Sequence, residues 1–152
     1  MKRLIGLLLV LVTVFSFSAA LAQRAESEAG GFSVNLPDHF VEGDTDGYSD
    51  LCFYWHGKKL TVQGYSSYQG EVAGSDLFQV LTGTETDYGT KNINGMKMWY
   101  TRTEEDGNVC ITYTWMDRGN SVTLEFDYAA ADESVQNTVN SIINSIRFDA
   151  GH

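Results

Sequence analysis

Carboxylates that could hold a metal ion are concentrated in one glycine-containing stretch, which carries Asp44, Asp46 and Asp50. Calcium takes about six to eight oxygen ligands, so these residues could supply part of a calcium site. The spacing departs from an EF-hand loop, because a loop starting at Glu42 would place Phe53 where that motif has its bidentate glutamate. In the alternative interpretation, aspartate and glycine serve turn geometry in an ordinary polar loop. The leading expectation is therefore no cofactor, with calcium as the alternative.

A second group of candidates lies on a predicted sheet, where Trp99 shares one face with three threonines. These are Thr101, Thr112 and Thr114. An exposed aromatic ring among hydroxyl groups could stack on a sugar ring or anchor a protein partner. In the alternative interpretation, a short helix around Leu77 and Phe78 covers Trp99 in a second small core. The first interpretation makes this face a binding surface, and the second makes it structural.

The histidines and carboxylates form no catalytic motif that the sequence reveals. His39 and His56 fall in a predicted loop and a predicted turn, and His152 is the last residue. The patterns G-x-S-x-G, H-E-x-x-H and C-x-x-C are absent. The adjacent acids at 104–106 lie at a predicted hairpin tip, where a solvated turn explains them. We therefore predict a protein that is not an enzyme, with a hydrolase as the weaker alternative.

Two cysteines, Cys52 and Cys110, could form a disulfide if the chain is exported to an oxidising compartment. The long loop that such a bond closes would stabilise the fold by roughly 3–4 kcal/mol. The alternative is a pair of buried thiols that pack as small apolar groups.

Dipeptides typical of two-residue hairpin turns predict the elements that would position these side chains. Asparagine-glycine at 94–95 and aspartate-glycine at 106–107 both suit such turns, because both central residues need positive φ. A third turn is expected at 118–120. Together they predict a four-stranded antiparallel meander over about 87–128.

The turns also assign side chains to the two faces of that meander. They place Tyr100 opposite Tyr113 and Tyr113 opposite Leu124, so independently placed turns agree on one buried face. The opposite face is mostly polar. It carries Lys97, Trp99, Thr101, Thr103, Cys110, Thr112, Thr114, Thr123, Glu125 and Asp127.

Apolar residues at helical spacing near the end of the chain predict a helix that lies across the apolar face of the sheet. They are Val135, Val139, Ile142, Ile143 and Ile146. Asp132 is the expected N-cap, and a short helix is expected after Ser75. Upstream, we expect a strand over 32–36 and a hairpin over 51–66. The predicted fold class is α+β, an antiparallel sheet with the C-terminal helix on one face and a short helix elsewhere, resembling an α/β/α sandwich.

The first 22 residues are typical of a secretory signal peptide. Lys2 and Arg3 precede an apolar run, and Ala20 and Ala22 are spaced as signal peptidase requires. The apolar run is shorter than a membrane span of about 20 residues. We therefore expect an exported protein, secreted or retained in a periplasm or cell envelope. It would have a disordered leader over 23–30 and one domain over 31–149.

The acidic composition limits the class of partner. The net charge is −10, and removing a signal that contains Lys2 and Arg3 but no acid makes it −12. Nucleic acids and anionic membranes both attract basic surfaces, so neither is an expected partner. A protein or a cell-envelope component remains, and the sequence leaves the oligomeric state open.

The two ends of the mature chain carry a pattern of their own. Gly31-Phe32-Ser33-Val34-Asn35-Leu36-Pro37 opens the domain, and Ser141-Ile142-Ile143-Asn144-Ser145-Ile146-Arg147-Phe148 closes it on the helix. This pattern resembles the PsbP-like family, whose fold occurs in a photosystem extrinsic subunit, a Ran-binding nuclear-import factor and exported bacterial proteins of unknown role. The resemblance implies an α/β sandwich and adaptor or binding roles more often than catalysis. It carries over no functional residue.

Overall fold

Two antiparallel sheets and one helix make up the part of the chain that the computed structural model describes, residues 22–45, 47, 49–68, 87–117 and 119–149. The smaller sheet has the order β1-β2-β10, with β1 at Gln23–Ser27, β2 at Phe32–Leu36 and β10 at Arg147–Phe148. It therefore joins the start of the domain to its end.

The larger sheet has seven strands in the order β3-β4-β5-β9-β8-β7-β6. Its strands are β3 (Val41–Glu42), β4 (Leu51–Trp55), β5 (Leu60–Tyr68), β6 (Asp87–Ile93), β7 (Met96–Glu105), β8 (Asn108–Asp117) and β9 (Asn120–Ala129). The predicted meander forms its β6–β9 half, and the predicted hairpin of β4 and β5 extends it through β5 pairing with β9. A 3₁₀ turn at His56–Lys58 joins β4 to β5.

The hairpin turns adopt the geometry that their dipeptides predict. Asn94 and Gly95 have φ of 50° and 87°, and Asp106 and Gly107 have φ of 50° and 76°. The register that follows is also confirmed: Tyr100 pairs with Tyr113, and Tyr113 with Leu124. The turn at 94–95 also contacts the end of the C-terminal helical segment. The Asn94 amide donates hydrogen bonds to the carbonyl oxygens of Ile146, at 2.6 Å, and Asn144, at 3.2 Å.

The core lies between the apolar face of the large sheet, the C-terminal helix α1 (Glu133–Asn144) and strand β2. Four residues of α1 are buried there, as their spacing predicts: Val135, Val139, Ile142 and Ile143. Trp115 stands at the centre, edge-on to Phe32 at 5.1 Å between ring centroids. Burying an apolar side chain of this size stabilises a fold by roughly 1.5–3 kcal/mol, so these residues dominate the stability.

The helix begins at its predicted cap. The Asp132 carboxylate accepts a hydrogen bond from the Ser134 amide and a second one, at 2.9 Å, from the Lys58 amine. The Ser134 hydroxyl group also donates to this carboxylate. Its hydrogen bond, followed by that of Lys58, lowers the pKa of Asp132 from 3.8 to about 2. The ion pair also ties the β4–β5 connection to the start of α1.

The disordered leader predicted over 23–30 is wrong, because residues 23–27 form strand β1. Ala25 and Ser27 are buried, while Arg24 and Glu26 point outward and form an ion pair at 2.6 Å. The alternation is therefore that of a half-buried strand, but alanine and serine on the inner side give it no apolar signal. Gln23 pairs with Leu36, so the strand begins at the residue that follows the expected signal.

Two other expectations concern helices. The short helix expected after Ser75 lies outside the described residues. In the described ranges, no helix combines the length and the apolar character needed to cross a membrane.

Candidate functional site

The face of the large sheet opposite α1, called here the polar face, brings the predicted binding residues together. Trp99 pairs with Thr114, and Thr101 pairs with Thr112, on neighbouring strands β7 and β8. The hydroxyl oxygens of Thr101 and Thr112 lie 2.7 Å apart, and those of Thr114 and Thr123 lie 3.0 Å apart. The threonines thus satisfy one another in hydrogen-bonded pairs across the strands.

The four predicted binding residues, Trp99, Thr101, Thr112 and Thr114, differ in how far they are buried. Thr114 is 1% exposed and Thr101 is 8% exposed, so neither presents a hydroxyl group to a partner. Trp99 and Thr112 are half-buried. The threonine pairs therefore support the sheet beneath Trp99, and only Trp99 and Thr112 retain surface for contact.

Strand β6 adds exposed residues beside Trp99 that were not among the candidates from the sequence. Tyr88 pairs with Thr101 and Thr90 pairs with Trp99, so both lie on the polar face. Tyr88 is 52% exposed, and the Lys97 amine lies 5.5 Å from the centroid of the Trp99 ring. We call Tyr88, Thr90, Lys97 and Trp99 the aromatic patch. The turn at 94–95 already implied the pairing of Tyr88 with Thr101, so the register could have revealed this patch.

The two cysteines do not form the disulfide that the sequence allowed. Both thiols are free, with Cys52 on β4 and Cys110 on β8, and strands β5 and β9 lie between them. Three strand spacings put their Cα atoms roughly 14 Å apart, whereas a disulfide needs about 4.4–6.8 Å. Cys52 packs as a buried apolar group, as the alternative interpretation has it.

Cys110 instead faces two carboxylates on the neighbouring strand. It pairs directly with Asp127, and Glu125 is the next residue of β9 on the same face. One ligand atom of each, the Cys110 sulfur and a carboxylate oxygen of Glu125 and of Asp127, lies within 4.8 Å of the other two. Burial, followed by the nearby carboxylate of Asp127, raises the pKa of Cys110 to about 12. The same two causes raise the pKa of Glu125.

The acidic loop proposed for calcium is described only in part. Asp44 is exposed, and Asp46 lies outside the described residues. The Asp50 amide donates to the Gly64 carbonyl at 2.7 Å, which fixes the end of the loop against β5. Its carboxylate oxygen Oδ2 is buried and has no hydrogen-bond partner among the described residues. Calcium binding here stays a prediction.

The histidines lie along one edge region of the large sheet. His39 stacks on Trp55 at 5.3 Å between ring centroids, and its Nδ1 lies 3.5 Å from the Asp38 carboxylate. His56 stacks on Tyr54 at 6.0 Å. Both histidines are exposed, and His152 lies outside the described residues.

Comparison with solved structures identifies the fold. The solution structure of cyanobacterial PsbP (CyanoP) from Synechocystis sp. PCC 6803 matches with a TM-score of 0.63 and 11% identity, over 88% of this chain and 95% of that one. A crystal structure from Bacteroides thetaiotaomicron VPI-5482 matches with a TM-score of 0.61 and 15% identity, over 86% of this chain and 49% of that one.

A third solved structure, a point mutant of the protein Mog1, matches with a TM-score of 0.56 and 7% identity, over 86% of this chain and 97% of that one. By sequence, no family model matches, and no curated protein matches significantly. The chain therefore has a PsbP-like α+β fold, as the pattern at its two ends predicted. Similarity at these low sequence identities establishes the fold alone, so the function has to be argued from the residues of the site.

Proposed function

We propose that this chain is a non-enzymatic binding or accessory domain that works outside the cytoplasm and contacts its partner through the aromatic patch. One observation carries the proposal: Tyr88, 52% exposed, lies diagonally across from Trp99 on β6, the last strand of the large sheet among the described residues. Tyrosine and tryptophan are the residue types that most often supply binding energy at interfaces. A single exposed apolar residue is ordinary, but two neighbouring aromatic rings on one face favour a contact surface.

The expected partner is a protein or a cell-envelope component. A mature charge of −12 disfavours nucleic acid and anionic membranes. Lys97 over the Trp99 ring and the Thr90 hydroxyl give the patch polar groups around its rings. The basic, then apolar, start of the sequence supports the location outside the cytoplasm.

A matched pair of variants tests the patch. Tyr88 and Val41, which is 56% exposed, are the exposed large apolar residues of the described chain, and they lie on strands at opposite edges of one sheet. The assay measures how much of the chain over residues 23–152 is retained by an isolated envelope preparation, or by an extracytoplasmic protein that the parent chain has captured. We expect Tyr88→Ser to lower that retention. Val41→Ser should leave retention unchanged. Equal retention of both variants and the parent chain would contradict the proposal.

Calcium binding is the second candidate function, and the buried, unpartnered Asp50 carboxylate oxygen favours it. A buried carboxylate oxygen without a partner is costly, and a bound cation would offset that cost. Calcium at about 100 times its dissociation constant should stabilise the fold by roughly 2.7 kcal/mol relative to chelator. Asp50→Asn should abolish that calcium-dependent rise in melting temperature. An identical response in the variant would remove Asp50 from the site.

A further inference from the structure

The group formed by Cys110, Glu125 and Asp127 combines one soft and two hard metal ligands on the polar face. The three side chains come from two paired strands, so backbone hydrogen bonding fixes their relative positions. Each is half-buried, and one ligand atom of each lies within 4.8 Å of those of the other two. This convergence is independent of the aromatic patch and of the acidic loop at 44–50.

The flanking positions provide no positive charge for the two carboxylates. In the sheet register, Glu125 lies between Gln63 and Thr112, and Asp127 lies between Thr61 and Cys110. All these neighbours are neutral side chains at pH 7, the thiol included. Two carboxylates in contact repel each other when both ionise. A cation between them would remove that repulsion, whereas the side chains of the group offer only hydrogen bonds, between Glu125 and Asp127 and between Cys110 and Asp127.

A cavity of about 310 Å³ opens beside the thiol and gives access to Cys110 and Asp127. Its lining consists of Thr103, Glu105, Asp106, Asn108, Cys110 and Asp127. The cavity offers space for a water molecule or another oxygen ligand, which a metal with three protein ligands requires to complete four-coordination.

We propose that Cys110, Glu125 and Asp127 bind a divalent transition metal of the zinc class. Calcium and magnesium are disfavoured because they take oxygen ligands, whereas zinc accepts thiolate sulfur together with carboxylate oxygen. Tetrahedral coordination at the usual bond lengths requires donor atoms about 3.4–3.6 Å apart, so modest side-chain rotation would complete the site. On binding, the thiol loses its proton to solvent and the thiolate sulfur donates its electron pair to the metal.

Metal binding by residues 23–152, produced without a histidine tag, tests the proposal. Equilibrium dialysis against zinc should find an equimolar amount bound, and cobalt should give the near-ultraviolet charge-transfer band of a thiolate ligand. Cys110→Ala should remove the cobalt band, and Asp127→Asn should lower zinc occupancy. Cys52→Ala is the matched control, because it removes the other thiol and should leave the cobalt band unchanged.

The thermal melt of each variant in chelator establishes that it is folded before metal is added. If Cys110→Ala does not fold, Cys110→Ser provides the same test with a smaller change of shape and polarity. Absence of the cobalt band in the folded parent chain would overturn the proposal. So would a band that persists without Cys110, or one that Cys52→Ala removes.

Discussion

Substitution of Asn94 tests whether its side-chain amide joins the large sheet to the end of α1. Its nitrogen Nδ2 donates to the carbonyl oxygens of Ile146 and Asn144. Replacement by aspartate, Asn94→Asp, keeps a residue that suits the positive φ of this turn, because aspartate-glycine favours the same hairpin geometry. The substitution removes the donor and places a carboxylate against two carbonyl oxygens. The turn is thereby preserved while the tie to the helix is lost.

The expected loss of stability follows from three contributions. The partly buried bond to Ile146 contributes about 1 kcal/mol and the exposed bond to Asn144 about 0.5 kcal/mol. A negative charge at the C-terminal end of a helix costs about 0.5 kcal/mol. The free energy of unfolding should therefore fall by about 2 kcal/mol. For a folded domain of roughly 120 residues, this lowers the melting temperature by about 8 °C.

Asn144→Asp separates the charge from the hydrogen bonds. It adds the same charge at the same helix end, on an exposed side chain, and leaves both backbone acceptors in place. Calorimetry at pH 7 should give a loss of only about 0.5 kcal/mol, or about 2 °C. Equal losses in the two variants would refute the role assigned to the Asn94 amide.

Three further predictions concern the core, the helix cap and the thiol. Ile142→Asp should abolish the cooperative melt because it buries an unpaired charge, whereas Ser141→Asp on the exposed side should not. Because the pKa of Asp132 is lowered from 3.8 to about 2, its stabilising effect should be complete above about pH 4 and disappear as the pH falls through 2. Melts of Asp132→Asn against the parent chain should therefore converge in acid, and a constant gap would contradict this. With its pKa raised to about 12, metal-free Cys110 should react with iodoacetamide at pH 8 about 1000-fold more slowly than a thiol of pKa 9.0. Labelling in the folded chain at the rate seen after unfolding would contradict that prediction.

Local turn chemistry explains why the β6–β9 half of the sheet was predictable. A two-residue turn fixes every cross-strand pair that follows it, so 94–95 and 106–107 determine the faces of three strands. The pairing of β5 with β9 depends instead on residues far apart in sequence, with no shared turn to indicate it. Strand β1 was missed for a different reason, because its buried Ala25 and Ser27 do not register as apolar.

The candidate sites likewise divide into features that local turns predict and features that depend on tertiary structure. The pairings of Tyr88 with Thr101 and of Cys110 with Asp127 both follow from neighbouring turns, so the register contained the aromatic patch and the thiol–carboxylate group. The separation of Cys52 from Cys110 depends on strand order across the sheet, which no local signal determines. Burial of Thr101 and Thr114 likewise results from tertiary packing.

Lys91, on the edge strand β6, restricts how another chain can approach this side of the molecule. It pairs with Met98 on the apolar face, and its amine lies 5.0 Å from the Tyr100 ring centroid and 5.5 Å from that of Tyr113. A charged side chain on an edge strand discourages a further strand from pairing there, since pairing would partly desolvate the ammonium group. A further strand is thus disfavoured at this edge of the described sheet, and a partner of the proposed aromatic patch would have to contact side chains and not extend the sheet.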